Sequence, residues 1–114
     1  MSVRIEKIRA MLADDPQDTF LRYSLAMECR GLGQTDEATS LFRGLMGDSP
    51  PHVQAFFMLA QMEAENGRVE PARETLRNGI DQARLQNDAH AAAEMSELLA
   101  SLGSLGESEF DGDL

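Results

Sequence analysis

Apolar positions along this chain recur at helical steps, and nowhere do they alternate. Val3, Ile5, Ile8, Met11 and Leu12 form a first stripe, the spacing of an amphipathic helix. Pro16 closes that helix, because a residue before proline is pushed out of the helical region. Asp18 is placed to cap a second helix from about Thr19 to Leu32, with Gly33 suited to a left-handed end. Thr35 is placed to cap a third, with Asp36 and Glu37 in its first turn, running to about Met46. Pro51 fits the first turn of a fourth, ending near Gly67, and Pro71 that of a fifth. The fifth meets no breaker before Gln86 or Asn87; Asp88 then opens a sixth, ending near Gly103. Val3, Val53 and Val69 never gather into a strand-like run.

The helices repeat. At a lag of 34 residues Pro16 meets Pro50, Leu25 meets Leu59, Ala26 meets Ala60, Gly33 meets Gly67, and Ala38 meets Ala72. Tyr23 pairs with Phe57, Asp36 with Glu70, and Phe42 with Leu76. The first helix joins the register, with Ile8 leading to Phe42 and Met11 to Leu45. A pair of helices this short cannot bury its own apolar face, so successive units must stack.

These residues resemble the tetratricopeptide repeat, a family of antiparallel helix pairs. Leu25-Ala26 and Leu59-Ala60 stand at the family's large-small pair, Gly33 and Gly67 at its turn, and Ala38 and Ala72 at the small residue where paired helices come closest. Phe42 and Leu76 match the large residue one turn later, and Pro16 and Pro50 the closing proline. The chain departs from the pattern at Arg22, where an aromatic is usual and Phe56 conforms. It departs again at Leu45, where a small residue is usual and Gly79 conforms, and at Arg84, where a proline is usual. Without that proline the fifth helix is expected to overrun.

The resemblance implies an all-α, right-handed solenoid of about six helices. It divides into a half repeat over 1–17, repeats over 18–51 and 52–86, and a capping helix over 87–102. On the cap, Ala91, Met95, Leu98 and Leu102 are expected to face inward, and His90, Glu94, Glu97 and Ser101 outward. Residues 103–114, rich in glycine and acid, are expected to form a flexible tail that folding does not require.

Composition agrees with this architecture. A chain of 114 residues is enough for one domain. A domain of that size buries roughly two thirds of its unfolded surface and folds without metals or disulfides. Hydrophobic residues at 42% with aromatics at 5% favour helix over strand. The net charge of −10 sits mostly at the end, since no Lys or Arg follows Arg84. Such a chain repels nucleic acid and anionic membrane, and the acidic end favours solubility. The N-terminus has no signal-peptide core and the apolar run Ala55–Met62 is too short to span a bilayer, so a cytoplasmic protein is the expectation.

Candidate chemistry is sparse. His52 and His90 have no second ligand at metal spacing on one helix, and a structural role is expected for both. Cys29, the single cysteine, lies four residues after Leu25 on the stripe with Leu21 and Leu32 that faces the partner helix. A buried, inert thiol is expected there. No phosphate loop, calcium loop or aromatic-basic pattern occurs. No catalytic residue, metal or cofactor is assigned.

What remains is surface. Phe20, Tyr23, Met27 and Arg30 follow helical steps of three, four and three away from the core stripe. Phe57 and Gln61 repeat this on the fourth helix, with Met58 beside them. In the resembling family these first-helix positions line a concave peptide groove. The expectation is a non-catalytic module that binds a protein or peptide through Phe20, Tyr23, Met27, Arg30, Phe57, Met58 and Gln61. Tyr gives rigid contact area, Met gives adaptable area, and Arg30 is suited to a carboxylate. The family's carboxylate clamp of Lys and Asn is not expected, because Tyr23, Met27 and Met58 stand at its positions. The alternative partner is a second copy, in a homodimer through the Met/Phe-rich face. A competing structural reading makes these side chains core, covered by the terminal helices.

Overall fold

The computed structural model describes the backbone of residues 2–111 and the side chains of residues 2–103. Among the described residues there are six helices and no strand: α1 (Val3–Asp14), α2 (Thr19–Gly31), α3 (Thr35–Met46), α4 (Val53–Glu65), α5 (Val69–Leu85) and α6 (Ala89–Asp111). The chain forms two compact units, Met1–Ala55 and Phe56–Leu114.

In the first unit α2 packs against both α1 and α3. Ile5 and Ile8 from α1, Leu25, Ala26 and Cys29 from α2, and Ala38, Phe42 and Leu45 from α3 are buried. Ala38 has no exposed surface, as the close approach of paired helices requires. The α1 stripe is used only in part: Val3 and Met11 remain 66% and 49% exposed. Met11 occupies the place in α1 that Leu45 takes in α3. Leu32 is also exposed, because it is the C-cap of α2 and lies past its last turn. An ion pair of Arg9 with Glu37, at 2.8 Å, ties α1 to α3. It lowers the Glu37 carboxyl below its ordinary range by direct hydrogen bonding, but exposed pairs of this kind contribute at most about 1 kcal/mol.

In the second unit α5 packs along α6, and Ala72, Leu76 and Met95 are fully buried. Ala91 and Leu102 face inward with them, Leu98 is half-buried, and His90, Glu97 and Ser101 are exposed. Gly79 lets α5 approach its neighbours: a Cβ there would stand 2.6 Å from Phe56 Cβ and 2.6 Å from Met95 Sδ. The Thr75 hydroxyl donates to the buried Glu63 carboxylate at 2.8 Å, which satisfies a charged group otherwise costly to bury.

The turns follow the sequence repeat at the level of single hydrogen bonds. Gly33 and Gly67 both have φ of 77°. Gln34 N–H bonds Cys29 O, and Arg68 N–H bonds Glu63 O, each at 2.8 Å. This is the bond pattern of a Schellman helix end. The α5–α6 turn repeats it with Asn87 at φ 60° and Asp88 N–H bonding Ala83 O at 2.8 Å.

Asp18 and Asp88 cap α2 and α6 as expected, accepting from Leu21 N–H at 2.8 Å and Ala91 N–H at 3.1 Å. Three boundaries differ from expectation. Thr35 is the first residue of α3, not its cap. Gln34 holds the cap position without a side-chain bond, because the Cys29 carbonyl fixes its N–H and the chain enters the helix at once. Pro51 precedes α4 rather than lying in it, since His52 N–H is drawn to Leu45 O at 3.0 Å and the helix starts at Val53. Finally, α6 does not end near Gly103 but continues to Asp111. Gly103 does not take the left-handed conformation of Gly33 and Gly67. An isolated helical glycine costs only about 1 kcal/mol, and no proline follows. The side chains of the expected tail beyond Gly103 lie outside the described residues. The overrun of α5 is as expected: it has 17 residues against 12 in α3.

Candidate functional site

On α2 a second face, away from the inward stripe, is only partly covered. Phe20 is 75% exposed, and Tyr23, Met27 and Arg30, at helical steps beyond it, are half-buried. The first unit thus brings these four side chains onto one face. On α4, Phe56, Leu59, Ala60 and Glu63 are buried, while Phe57, Met58 and Gln61 are half-buried on the other side. The second unit therefore groups its three candidates as well.

Tyr23 is fixed by two rings. Its edge meets Phe42 with centroids 6.1 Å apart at 65°, a favourable edge-to-face arrangement. Its face lies on His52, with centroids 5.0 Å apart at 26°. Burial raises the Tyr23 hydroxyl above its ordinary pKa, opposed by the positive charge of Arg30. Tyr23 is therefore a neutral, rigid ring at any physiological pH.

Behind this face lies a polar cluster that sequence reasoning missed. Arg22 grips the Asp48 carboxylate with both Nη atoms; the Nη1–Oδ1 bond is 3.1 Å and the Nη2–Oδ2 bond is shorter. Nη2 also donates to the Gln17 carbonyl at 3.0 Å. The Arg22 side chain is only 14% exposed, and its Nε is buried without a partner. The hydrogen bonds from Arg22 hold the Asp48 carboxyl below its ordinary range. His52 sits beside this pair, with Nδ1 buried and unpartnered. Burial pushes its imidazole below the ordinary value, against the pull of Asp48. The signal in the sequence was the departure at Arg22, since a cation in an aromatic's place requires an acid nearby.

The remaining candidates are structural. Cys29 is fully buried, and burial raises its thiol further from reactivity. His90 is exposed and pairs with Glu94 at 3.5 Å, one helical turn away. Among the described residues no group of three His, Cys, Asp or Glu is placed to hold a metal, and no helix is long and apolar enough to cross a membrane.

Comparison with known proteins agrees with the helix pairs. A family model described as tetratricopeptide repeat matches residues 30–103. The fold is similar to the solution structure of a tetratricopeptide repeat domain protein from Salinibacter ruber. The TM-score is 0.74 at 27% identity, over 79% of this chain and 91% of that one. It is also similar to a solution structure of a protein from Bordetella parapertussis, with a TM-score of 0.83 at 23% identity over 97% and 96% of the two chains. No functionally curated protein matches.

Proposed function

Because the chain belongs to the tetratricopeptide repeat family, whose members generally mediate protein interactions, we propose that it is a non-catalytic module that captures a peptide segment of a partner protein. The capturing residues are Phe20, Tyr23, Met27 and Arg30 on α2, and Phe57, Met58 and Gln61 on α4. The observation that carries this reading is Phe20. A phenylalanine 75% exposed, followed along the same face by a half-buried tyrosine and methionine, leaves apolar area open to a ligand. The two repeats have Tyr23 and Phe57 at equivalent positions, so each repeat offers an aromatic anchor. Arg30 at the end of the α2 face suits an acidic or carboxylate group of the ligand.

Phe20→Ser tests the proposal with little risk to the fold. Its melting temperature is expected to match the parent, and its capture of the partner, isolated with the wild-type chain, is expected to weaken by about 2 kcal/mol, as for a central aromatic anchor. Undiminished capture contradicts the assignment. Light scattering provides the second check. A monomer at micromolar concentration accords with an adaptor, and a stable dimer that Phe20→Ser dissociates turns the same face into a self-association surface.

A further inference from the structure

Tyr23 stands between two supports of different kinds. Phe42 is apolar and buried, so it is constant with pH. His52 can change charge. Its Nδ1 is enclosed and has no hydrogen-bond partner. A neutral imidazole tolerates that, because one ring nitrogen can remain an unused acceptor. An imidazolium carries N–H on both nitrogens and needs an acceptor for each. The charged groups acting on His52 are Asp48, from the loop after α3, and Arg22, from α2; Tyr23 is its other titratable neighbour. Asp48 is the only acid of this set, and both its oxygens are already held by Arg22. A proton on His52 therefore creates a competitor for Asp48 that Arg22 repels.

We propose that His52 is a proton-sensitive latch beneath the α2 face: neutral, it holds Tyr23 by ring stacking, and protonated, it turns toward Asp48 and releases the tyrosine ring. The inference concerns regulation of the surface proposed above and rests on that reading for its purpose, but the latch works or fails without a partner. The direction follows from burial. Desolvation disfavours the imidazolium, so the latch stays closed at neutral pH and opens under mild acid. The neighbouring Asp48 carboxylate stays ionised through that range, since it is held below its ordinary value.

The chain reports on this itself, because it has one tyrosine and no tryptophan. Tyrosine emission of the full chain is followed from about pH 8 to about pH 5, the range in which histidine titrates. One step is expected, with its midpoint below the ordinary histidine value of 6.5. It should be lost in His52→Gln and kept in His90→Gln, the exposed histidine paired with Glu94. Emission flat with pH, or a step that survives His52→Gln, overturns the latch. Should His52→Gln lose its helical spectrum, proton NMR of the wild-type chain decides: the Tyr23 ring resonances must move with the His52 midpoint, and a titrating His52 beside an unmoved Tyr23 overturns it equally. Neither readout uses a partner. A latch that titrates in a chain whose Phe20→Ser variant still captures its partner would sink the binding surface alone.

Discussion

The two repeats solve one packing problem in opposite ways. In the repeat over 52–86, Phe56 is large and buried, and Gly79 gives it room. In the repeat over 18–51 the equivalent positions are Arg22 and Leu45. The large apolar residue has moved from the first helix to the second, where Leu45 has no exposed surface. The first-helix position, no longer needed for bulk, carries a cation clamped by Asp48; the residue equivalent to Asp48 is Gln82. The buried apolar bulk thus lies on the second helix of one repeat and on the first helix of the other. One repeat is held by an aromatic on a glycine, and the other by a leucine and a partly buried ion pair. Only the second arrangement places an acid and a histidine behind a surface tyrosine.

Changes of side-chain volume at these positions carry the largest expected effects. Leu45→Ala leaves a cavity with no aromatic to fill it and is expected to cost about 2–5 kcal/mol. Gly79→Ala in the other repeat fails in the opposite sense. Its new Cβ meets the Cβ of Phe56, which cannot rotate away, and overpacking of this kind costs about 1–3 kcal/mol. Gly44 is the control. A Cβ there meets nothing within 4 Å, so Gly44→Ala should stabilise α3 by up to about 1 kcal/mol through helix propensity. Denaturant melts of the three variants check the set. A neutral Leu45→Ala together with a stabilised Gly79→Ala would show that the register is misplaced.

A smaller effect isolates the ion pair. Asp48→Asn leaves a mostly enclosed guanidinium without its carboxylate, and a lost hydrogen bond to a charged group costs about 1–3 kcal/mol. The sign with pH follows from Asp48 being depressed below its ordinary value of 3.8. Its stabilisation is complete above that value and is lost as pH falls through the folded-state value. The gap between parent and Asp48→Asn melts should therefore close in acid. Gln82→Asn in the other repeat should show no such pH-dependent gap.

Much of this was legible in the sequence, for physical reasons. The glycine turns, the aspartate caps and the Ala38 and Ala72 contacts are local devices, and each has one residue type that serves it best. Thr35 and Pro51 misled because their surroundings overrode them: a carbonyl from the preceding turn captured Gln34, and another captured His52. The end of α6 was missed because glycine only weakens a helix unless a left-handed cap or proline stops it. On the candidate face, Phe20, Tyr23 and Met27 were readable from helical steps alone. Arg22 was readable only as an anomaly. Its partner Asp48 and the stacking of His52 on Tyr23 were not readable, because they depend on how the loop after α3 folds back onto α2, which no periodicity encodes.

Tyr23 and Phe57 are proposed as binding anchors rather than core, and measuring stability and binding on the same samples separates the two roles. Tyr23→Ala and Phe57→Ala are compared with the parent by far-ultraviolet circular dichroism and by partner capture. The expected result is an unchanged helical spectrum in both variants with capture weakened by about 2 kcal/mol or more in each. Loss of the helical spectrum, or full capture by helical variants, contradicts the claim.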